Sequence, residues 1–226
     1  MERDNKHLII DLDDTIIDTF NLLITPLENK YSDEIIQYCN VGFTAKRLAE
    51  ILISLRRSNP YSVEVFLQCL SSRNCNQLLE IRKKIFSNVP YKKVWLCDKV
   101  HEFLRAANAN YVLTLLTEGN AQLQQNKINH LGLSNLFHHI VILHKSISFS
   151  NKYLFLKNYI ETYELDPSIV TVIGNRLDNE ILAGQLIGAN TIWIQHGEGS
   201  AMQLPLVETL LHQKINRIED IASISI

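Results

Sequence analysis

The sequence lacks the features that mark several functional classes. It has no block of like charges, and its 22 basic and 24 acidic residues leave a formal net charge of −2, so no electrostatic signal favours a nucleic-acid or membrane partner. Its four cysteines include no CxxC pair, which disfavours a zinc site or a disulfide framework. It contains no run of about 18 uncharged apolar residues, and its charged N-terminal segment is not typical of a signal peptide. We therefore expect a cytoplasmic protein.

What the sequence does contain is the pattern of an α/β fold. Apolar residues make up 46% of its 226 residues, which is enough for a folded core. Strand and helix patterns alternate after residue 97, and this alternation predicts a Rossmann-like parallel sheet with helices on both faces. Ligands of such sheets bind beyond the carboxyl ends of the strands. The expected strands are 7–11, 111–116, 137–143, 169–173 and 191–195, and the helices between them are 98–107, 121–131, 151–163 and 178–187.

The segment from residue 18 to 96 has only helical patterns. Apolar residues recur at helical spacing in 32–39, 44–57, 62–71 and 76–86, with turn residues at 59–60 and 87–90. We therefore predict two units. An α/β core domain comprises residues 1–17 and 97–226, and an all-helical cap domain comprises residues 18–96.

Two carboxylates follow the first predicted strand. Alternation along the chain puts Asp11 and Asp13 on the same side of the sheet edge. Neighbouring carboxylates raise each other's pKa unless they share a cation, and Mg²⁺ prefers hard oxygen ligands of this kind. The alternative is a capped turn, because Asp-Asp-Thr is also common at turns and helix N-termini.

These residues resemble the first motif, DxDx(T/V), of the haloacid dehalogenase (HAD) superfamily. The resemblance implies that Asp11 attacks phosphorus to give an aspartyl-phosphate. It also implies that Asp13 protonates the leaving group, activates water and offers its backbone carbonyl to Mg²⁺. The family's dehalogenases lack the second Asp, so Asp13 favours phosphoryl chemistry over carbon–halogen cleavage.

The second and third family motifs have counterparts farther along the chain. Thr117, Glu118 and Gly119 end an apolar strand, where a hydroxyl and backbone N–H groups can bind a phosphoryl group and glycine allows a close approach. Lys152 begins a predicted helix and matches the motif lysine, whose charge would hold the phosphoryl group. The alternatives are a helix cap at Thr117 and an exposed Lys152, with Lys145 as a rival for the motif lysine.

The fourth motif departs from the family pattern of GDxxxD or GDxxxxD. Asn175 stands where the first acid, a direct Mg²⁺ ligand, is expected, and Asp178 and Glu180 are the acids that follow. An amide oxygen can still coordinate Mg²⁺, but it lacks the negative charge, so a lower affinity is expected. Asp178 or Glu180 would compensate directly or through water, although Asp178 is also typical of a helix start.

Two further segments are expected to lie away from the site. The loop after the last strand contains His196 and Glu198, which could face the site, but a surface turn is the favoured interpretation. Arg56 and Arg57 lie on a predicted helix and are expected on its solvated face.

The combined motifs predict a Mg²⁺-dependent phosphatase that hydrolyses a small phosphorylated metabolite through an aspartyl-phosphate. The helical insert would close over the site and select the substrate. The alternative is a HAD-fold binding or regulatory module whose catalysis is impaired by Asn175. A phosphomutase would need a means of rephosphorylating its substrate, and no sequence feature indicates one. Neither the substrate nor the oligomeric state can be predicted from the sequence.

Overall fold

The structure, a computed structural model, describes residues 6–38, 42–71, 77–144 and 151–224, without the side chain of residue 151. Six parallel strands form one sheet in the order β3-β2-β1-β4-β5-β6. The strands are β1 (His7–Ile10), β2 (Val112–Gly119), β3 (His139–His144), β4 (Val170–Gly174), β5 (Asn190–Ile194) and β6 (Gln213–Ile215). The predicted α/β fold class is therefore confirmed. Strand β6 was not predicted, because three residues are too few to show a strand pattern.

The strand order puts the residues that follow β1 and β4 beside each other. Strand β1 pairs with β2 on one side and with β4 on the other, so Ile10 is level with both Leu115 and Ile173. The chain winds outward from β1 in one direction and from β4 in the other. In sheets of this order the crevice at that reversal is where ligands bind.

Helices cover both faces of the sheet, as the buried strands require. Leu8 and Ile10 pack in one buried cluster with residues of the helices on that face, such as Leu104, whereas Ile9 faces a second cluster that includes Leu156. The helices of this part are α5 (Asp98–Asn110), α6 (Ala121–His130), α7 (Asn151–Tyr163), α8 (Leu182–Leu186) and α9 (Pro205–Glu208). A π-helical turn, Leu177–Ile181, immediately precedes α8.

The segment after β1 is helical, with a buried cluster of its own. A π-helical turn at Phe20–Ile24 leads directly into the first helix. Leu27, Tyr31 and Ile35 recur every four residues and pack with Leu48 and Leu52 of the next helix. The helices are α1 (Thr25–Tyr38), α2 (Ala45–Ser58), α3 (Tyr61–Ser71) and α4 (Leu78–Phe86). Among the described residues, no helix combines the length and the apolar character needed to cross a membrane.

Candidate active site

A polar cavity of about 140 Å³ opens at the carboxyl ends of β1, β2 and β4. Seven of the nine predicted site residues line this cavity, and Gly119 and Asp178 do not. The seven are Asp11, Asp13, Thr117, Glu118, Lys152, Asn175 and Glu180. Asp11 is fixed at the centre of the edge, because its backbone N–H donates to the carbonyl of Ile173 at 3.0 Å.

Lys152 joins two of the acids. Its Nζ lies 2.6 Å from Asp11 Oδ1 and also donates to Glu180, and all three side chains are buried. Burial raises the pKa of Asp11 to about 7, because the opposing effect of Lys152 is partly cancelled by Glu180 and Asp13. Burial likewise opposes the charge of Lys152, but Asp11 and Glu180 outweigh it and raise its pKa above the ordinary value. Lys152 is buried, so the alternative of an exposed helix lysine does not hold. Its rival Lys145 lies outside the described residues.

Asp13 is held by a different set of groups. Lys127 Nζ lies 2.6 Å from its Oδ1, Thr19 Oγ1 donates to the same oxygen, and Gln124 Nε2 donates to Oδ2 at 2.7 Å. Burial opposes ionisation of Asp13, but the charge of Lys127 and these hydrogen bonds outweigh it and lower its pKa. Lys127 and Gln124 were not predicted from the sequence. The only available signal was their spacing of three on the helix that follows Thr117, which puts both on one face.

Asn175 presents its amide in a defined orientation. Its Nδ2 donates to the carbonyl oxygens of Glu198 at 2.9 Å and His196 at 3.3 Å. Since both partners are acceptors, the nitrogen must face them, and the amide oxygen faces the other way. No donor within the described residues occupies that oxygen, and Asn175 lines the cavity. Its backbone carbonyl accepts a hydrogen bond of 2.8 Å from the buried indole N–H of Trp193.

Of the two acids that follow Asn175, Glu180 lines the cavity and Asp178 does not. Glu180 Oε2 accepts the backbone N–H of Arg176 at 3.0 Å, while its Oε1 bonds to Lys152. A Cβ at Gly174 would lie 2.5 Å from that of Glu180, so glycine is required for this approach. Asp178 forms a two-point ion pair with Arg176, at 2.6 and 2.9 Å. Asp178 does not line the cavity, and an arginine two residues earlier engages both of its oxygens, so its role as a metal ligand stays a prediction that these contacts do not favour.

Thr117 and Gly119 both contact Gln124. Thr117 is buried, and its hydroxyl accepts a hydrogen bond of 2.8 Å from Gln124 Nε2. A Cβ at Gly119 would lie 3.4 Å from the same side chain. This distance is an ordinary van der Waals contact, so the expected role of Gly119 in the close approach of a phosphoryl group stays a prediction.

The loop after β5 is part of the site and not a surface turn. Glu198 lines the cavity, and its backbone N–H donates to Asp14 Oδ2 at 3.0 Å. The other oxygen of Asp14 accepts the N–H of Phe20 at 2.7 Å. Gly197 has a φ of +64°, and a Cβ there would collide with the Asp14 carboxyl. This loop therefore has a backbone conformation and a packing that only glycine allows.

His196 and Asp18 lie beside Asp14, and oxygen or nitrogen atoms of the three residues come within 4.8 Å of one another. Asp18 Oδ1 is 3.0 Å from His196 Nε2, and this contact raises the pKa of His196 against the effect of burial. Asp14 already accepts two backbone N–H groups. These mutual contacts account for the group as part of the loop structure.

The helical segment contacts this loop through Arg56. Its guanidinium pairs with Glu198 and with Glu28, whose carboxylate is fully buried and also pairs with Arg82. The backbone carbonyl of Arg56 accepts the N–H of Gly199 at 2.9 Å. The expectation of a solvated Arg56 is therefore wrong, because the arginine joins α1 and α2 to the loop that orients Asn175.

Comparison with known proteins identifies the family. The family described as haloacid dehalogenase-like hydrolase matches residues 8–194. The chain belongs to the haloacid dehalogenase-like hydrolases. It is similar to a glyceraldehyde 3-phosphate phosphatase of Pyrococcus furiosus, with 23% identity over 207 residues that cover 90% of this chain and 86% of the relative. A relative of the same name from Pyrococcus abyssi is 23% identical over 199 residues, covering 85% of this chain and 82% of the relative.

Solved structures of this family share the fold over nearly the whole chain. A predicted phosphoglycolate phosphatase from Haemophilus somnus has a TM-score of 0.68 at 15% identity, with 97% of each chain covered. The HAD hydrolase YfnB from Bacillus subtilis, solved bound to magnesium, has a TM-score of 0.65 at 18% identity, again with 97% of each chain covered. The HAD fold thus includes both the sheet and the helical segment.

The HAD site of this chain has the donors that a Mg²⁺ ion needs. Asp11 offers a carboxylate, and Asn175 offers an amide oxygen with no described hydrogen-bond donor on it, in the same cavity. Mg²⁺ is usually bound by one or two carboxylates together with water and substrate phosphate oxygens. The raised pKa of Asp11 indicates that Lys152 alone does not compensate the buried negative charge. A divalent cation would supply the missing compensation.

Proposed function

We propose that this HAD hydrolase is a Mg²⁺-dependent phosphatase that hydrolyses a small phosphorylated metabolite through a covalent aspartyl-phosphate on Asp11. One observation carries the proposal. Two carboxylates, Asp11 and Asp13, follow the same strand and line one polar cavity together with Lys152. Neighbouring carboxylates beside a fixed cation are suited to covalent catalysis in which one carboxylate is the nucleophile and the other transfers protons.

In the first half-reaction, a carboxylate oxygen of Asp11 attacks phosphorus, and the bond from phosphorus to the ester oxygen breaks. Asp13, in its protonated form, donates its proton to that oxygen as it leaves. In the second half-reaction, Asp13 takes a proton from a water molecule, which attacks phosphorus as the bond to the Asp11 oxygen breaks. Inorganic phosphate leaves, and both carboxyl groups return to their initial states.

The remaining groups stabilise charge on the phosphoryl oxygens. We assign this role to Lys152, the Thr117 hydroxyl and the Glu118 backbone N–H. The Asp11 carboxylate, the Asp13 backbone carbonyl and the Asn175 amide oxygen would hold Mg²⁺. The ion, when bound, would neutralise charge shared by Asp11 and the phosphoryl group. Glu180 positions Lys152 and is not a direct ligand in this proposal.

The small cavity favours a small substrate. Its volume of about 140 Å³ is below the roughly 300–1,000 Å³ of pockets that enclose drug-sized ligands. Tyr61 of α3 contributes to its wall, and Arg176 stacks over that ring at 5.4 Å. We therefore propose that residues 18–96 act as a cap that excludes water and selects the substrate. Three-carbon phosphate esters come first among the candidates, because two relatives are named for glyceraldehyde 3-phosphate.

A binding module with impaired catalysis is the second candidate, and we do not adopt it. That hypothesis depended on Asn175 as a damaged metal ligand. The amide is instead held by two hydrogen bonds in the orientation that turns its oxygen away from the loop carbonyls. An oriented neutral ligand supports a working metal site better than a decayed one.

The test is hydrolysis of 4-nitrophenyl phosphate and a panel of metabolite phosphates, with and without Mg²⁺. We expect turnover that depends on Mg²⁺ and is absent in Asp11→Asn. Asp33→Asn is the matched control, because Asp33 is an exposed carboxylate of α1, and it should keep wild-type activity. Full activity of Asp11→Asn would contradict the proposal, and ligand binding without turnover by the folded wild type would favour the binding module.

A further inference from the structure

Both oxygens of Asp13 are occupied by donors from outside its own loop. Lys127 lies 2.6 Å from Oδ1, and Gln124 donates to Oδ2 at 2.7 Å. Both donors come from α6, whereas Thr19 adds a bond to Oδ1 from the segment that leads into the cap. With donors on both oxygens, the carboxylate cannot rotate without breaking a hydrogen bond or an ion pair.

Lys127 is buried to a degree that is unusual for a lysine. Its side chain is 4% exposed, and Asp13 is the one carboxylate within ion-pair distance among the described residues. Burying an ammonium group is costly unless a partner and good geometry compensate it. A lysine that only stabilised α6 would extend into solvent. The buried position of Lys127 therefore indicates that its function is to bind the Asp13 carboxylate.

The orientation of the Gln124 amide is also energetically unfavourable by itself. Its Nε2 serves Asp13, the hydroxyl of Thr117 and, at 3.4 Å, the carbonyl of Glu118. Its Oε1 is buried without a hydrogen-bond partner among the described residues, which is unfavourable by itself. The reverse orientation would direct that oxygen at the Asp13 carboxylate. The Gln124 amide therefore keeps its hydrogen bond to Asp13 although its own oxygen has no hydrogen-bond partner among the described residues.

We propose that Lys127 and Gln124 are positioning residues that hold Asp13 in the orientation in which it exchanges a proton with the leaving-group oxygen. This inference rests on the proposed phosphatase function. Neither residue lines the cavity, so both act through Asp13 and not on the substrate. Their loss should therefore affect proton transfer to the leaving group more than phosphoryl binding.

Leaving groups that differ in their need for a proton provide the test. Phenyl phosphate and 4-nitrophenyl phosphate have similar shapes, but 4-nitrophenolate leaves readily without a proton. We expect Lys127→Met to lower kcat/KM for phenyl phosphate about 100-fold, the scale of general acid catalysis, and for 4-nitrophenyl phosphate less than about tenfold. Lys127→Arg, which keeps a cation there, should recover part of the loss with phenyl phosphate.

Matched controls separate this effect from damage to the fold. Lys157→Met changes an exposed lysine of α7, and Gln125→Leu changes the exposed neighbour of Gln124; neither should alter either rate. Gln124→Leu is the second variant should Lys127→Met not fold, because it removes an amide oxygen that already lacks a partner. It should likewise slow phenyl phosphate more than 4-nitrophenyl phosphate.

An unchanged ratio of the two rates in the folded variants would overturn the inference while leaving the phosphatase proposal intact. Absence of turnover of both esters by the wild-type protein would overturn the proposed function, and the inference with it.

Discussion

Asn175→Asp would introduce the acid that the family motif has at this position, yet we expect it to destabilise the protein. The amide nitrogen donates to two carbonyl oxygens, of His196 and Glu198. A carboxylate cannot donate to either and would direct a charged oxygen at both. An unpaired buried hydrogen-bonding group costs about 1–3 kcal/mol, so the free energy of unfolding without Mg²⁺ should fall by about 2–4 kcal/mol. For a chain of this length, Tm should fall by roughly 5–15 °C.

Thermal and urea unfolding without added metal measure this cost. Asn179→Asp is the matched control, because it adds the same charge to the wall of the same cavity without facing those carbonyls. We expect its free energy of unfolding to change by less than about 1 kcal/mol. The fluorescence of Trp193 reports on the structure around Asn175, because its indole N–H donates to the Asn175 backbone carbonyl. This fluorescence should change in Asn175→Asp and not in Asn179→Asp.

The pH dependence supplies a second check on Asn175→Asp. A protonated carboxyl group can donate one hydrogen bond to a loop carbonyl, so the folded state favours the protonated form and raises the pKa above the ordinary value of about 3.9. The loss in free energy of unfolding relative to the wild type should therefore be small below that pH. It should grow as the pH rises through the pKa of the introduced carboxyl group in the folded protein. An Asn175→Asp protein as stable as the wild type at neutral pH without Mg²⁺ would refute the reasoning.

Two further predictions concern buried charges. Lys152→Met leaves two buried acids without their cation, so phosphatase activity should be lost, whereas Lys157→Met should keep it; an active Lys152→Met protein would remove Lys152 from the mechanism. Glu28→Gln removes a fully buried carboxylate from Arg82, whose side chain is 14% exposed, and should lower the free energy of unfolding by about 3–5 kcal/mol at neutral pH. Burial raises the pKa of Glu28, but Arg82 and Arg56 together outweigh this effect and lower that pKa below 4.5. The wild type should therefore have the higher free energy of unfolding above that pH, and the difference from Glu28→Gln should shrink as the pH falls below it. A difference in the free energy of urea unfolding that does not change with pH would contradict this prediction.

The central strand and its two acids could be predicted from the sequence because their signal is local. The apolar run ends at Ile10, and Asp11 and Asp13 follow within three residues. The parallel βαβ pattern then brings Thr117 and Asn175 to the same edge without any knowledge of side-chain contacts. Local patterns of this kind survive folding because the strand that carries them is buried on both faces.

The groups that hold these residues could not be predicted, because they come from distant parts of the chain. Lys127 is 114 residues from Asp13, and Arg56 is 142 residues from Glu198. Lysines and arginines at helical spacing are usually solvent-exposed, so the sequence pattern favoured the wrong interpretation for Arg56. The ion pair of Asp178 with Arg176 could not be predicted either, because a contact between residues two positions apart is not part of the family motif.

The most direct test of the central claim is the mass of the phosphorylated enzyme. Asp13→Asn should still accept a phosphoryl group from 4-nitrophenyl phosphate, which needs little proton donation, but should release it slowly because water is no longer activated. Rapid acid quench and peptide mass spectrometry should then find the added phosphoryl group on Asp11, and none in a protein that also carries Asp11→Asn. A phosphoryl group on another residue would contradict the account. Turnover by the wild type with no phosphorylated enzyme in the wild type or in Asp13→Asn would also contradict it.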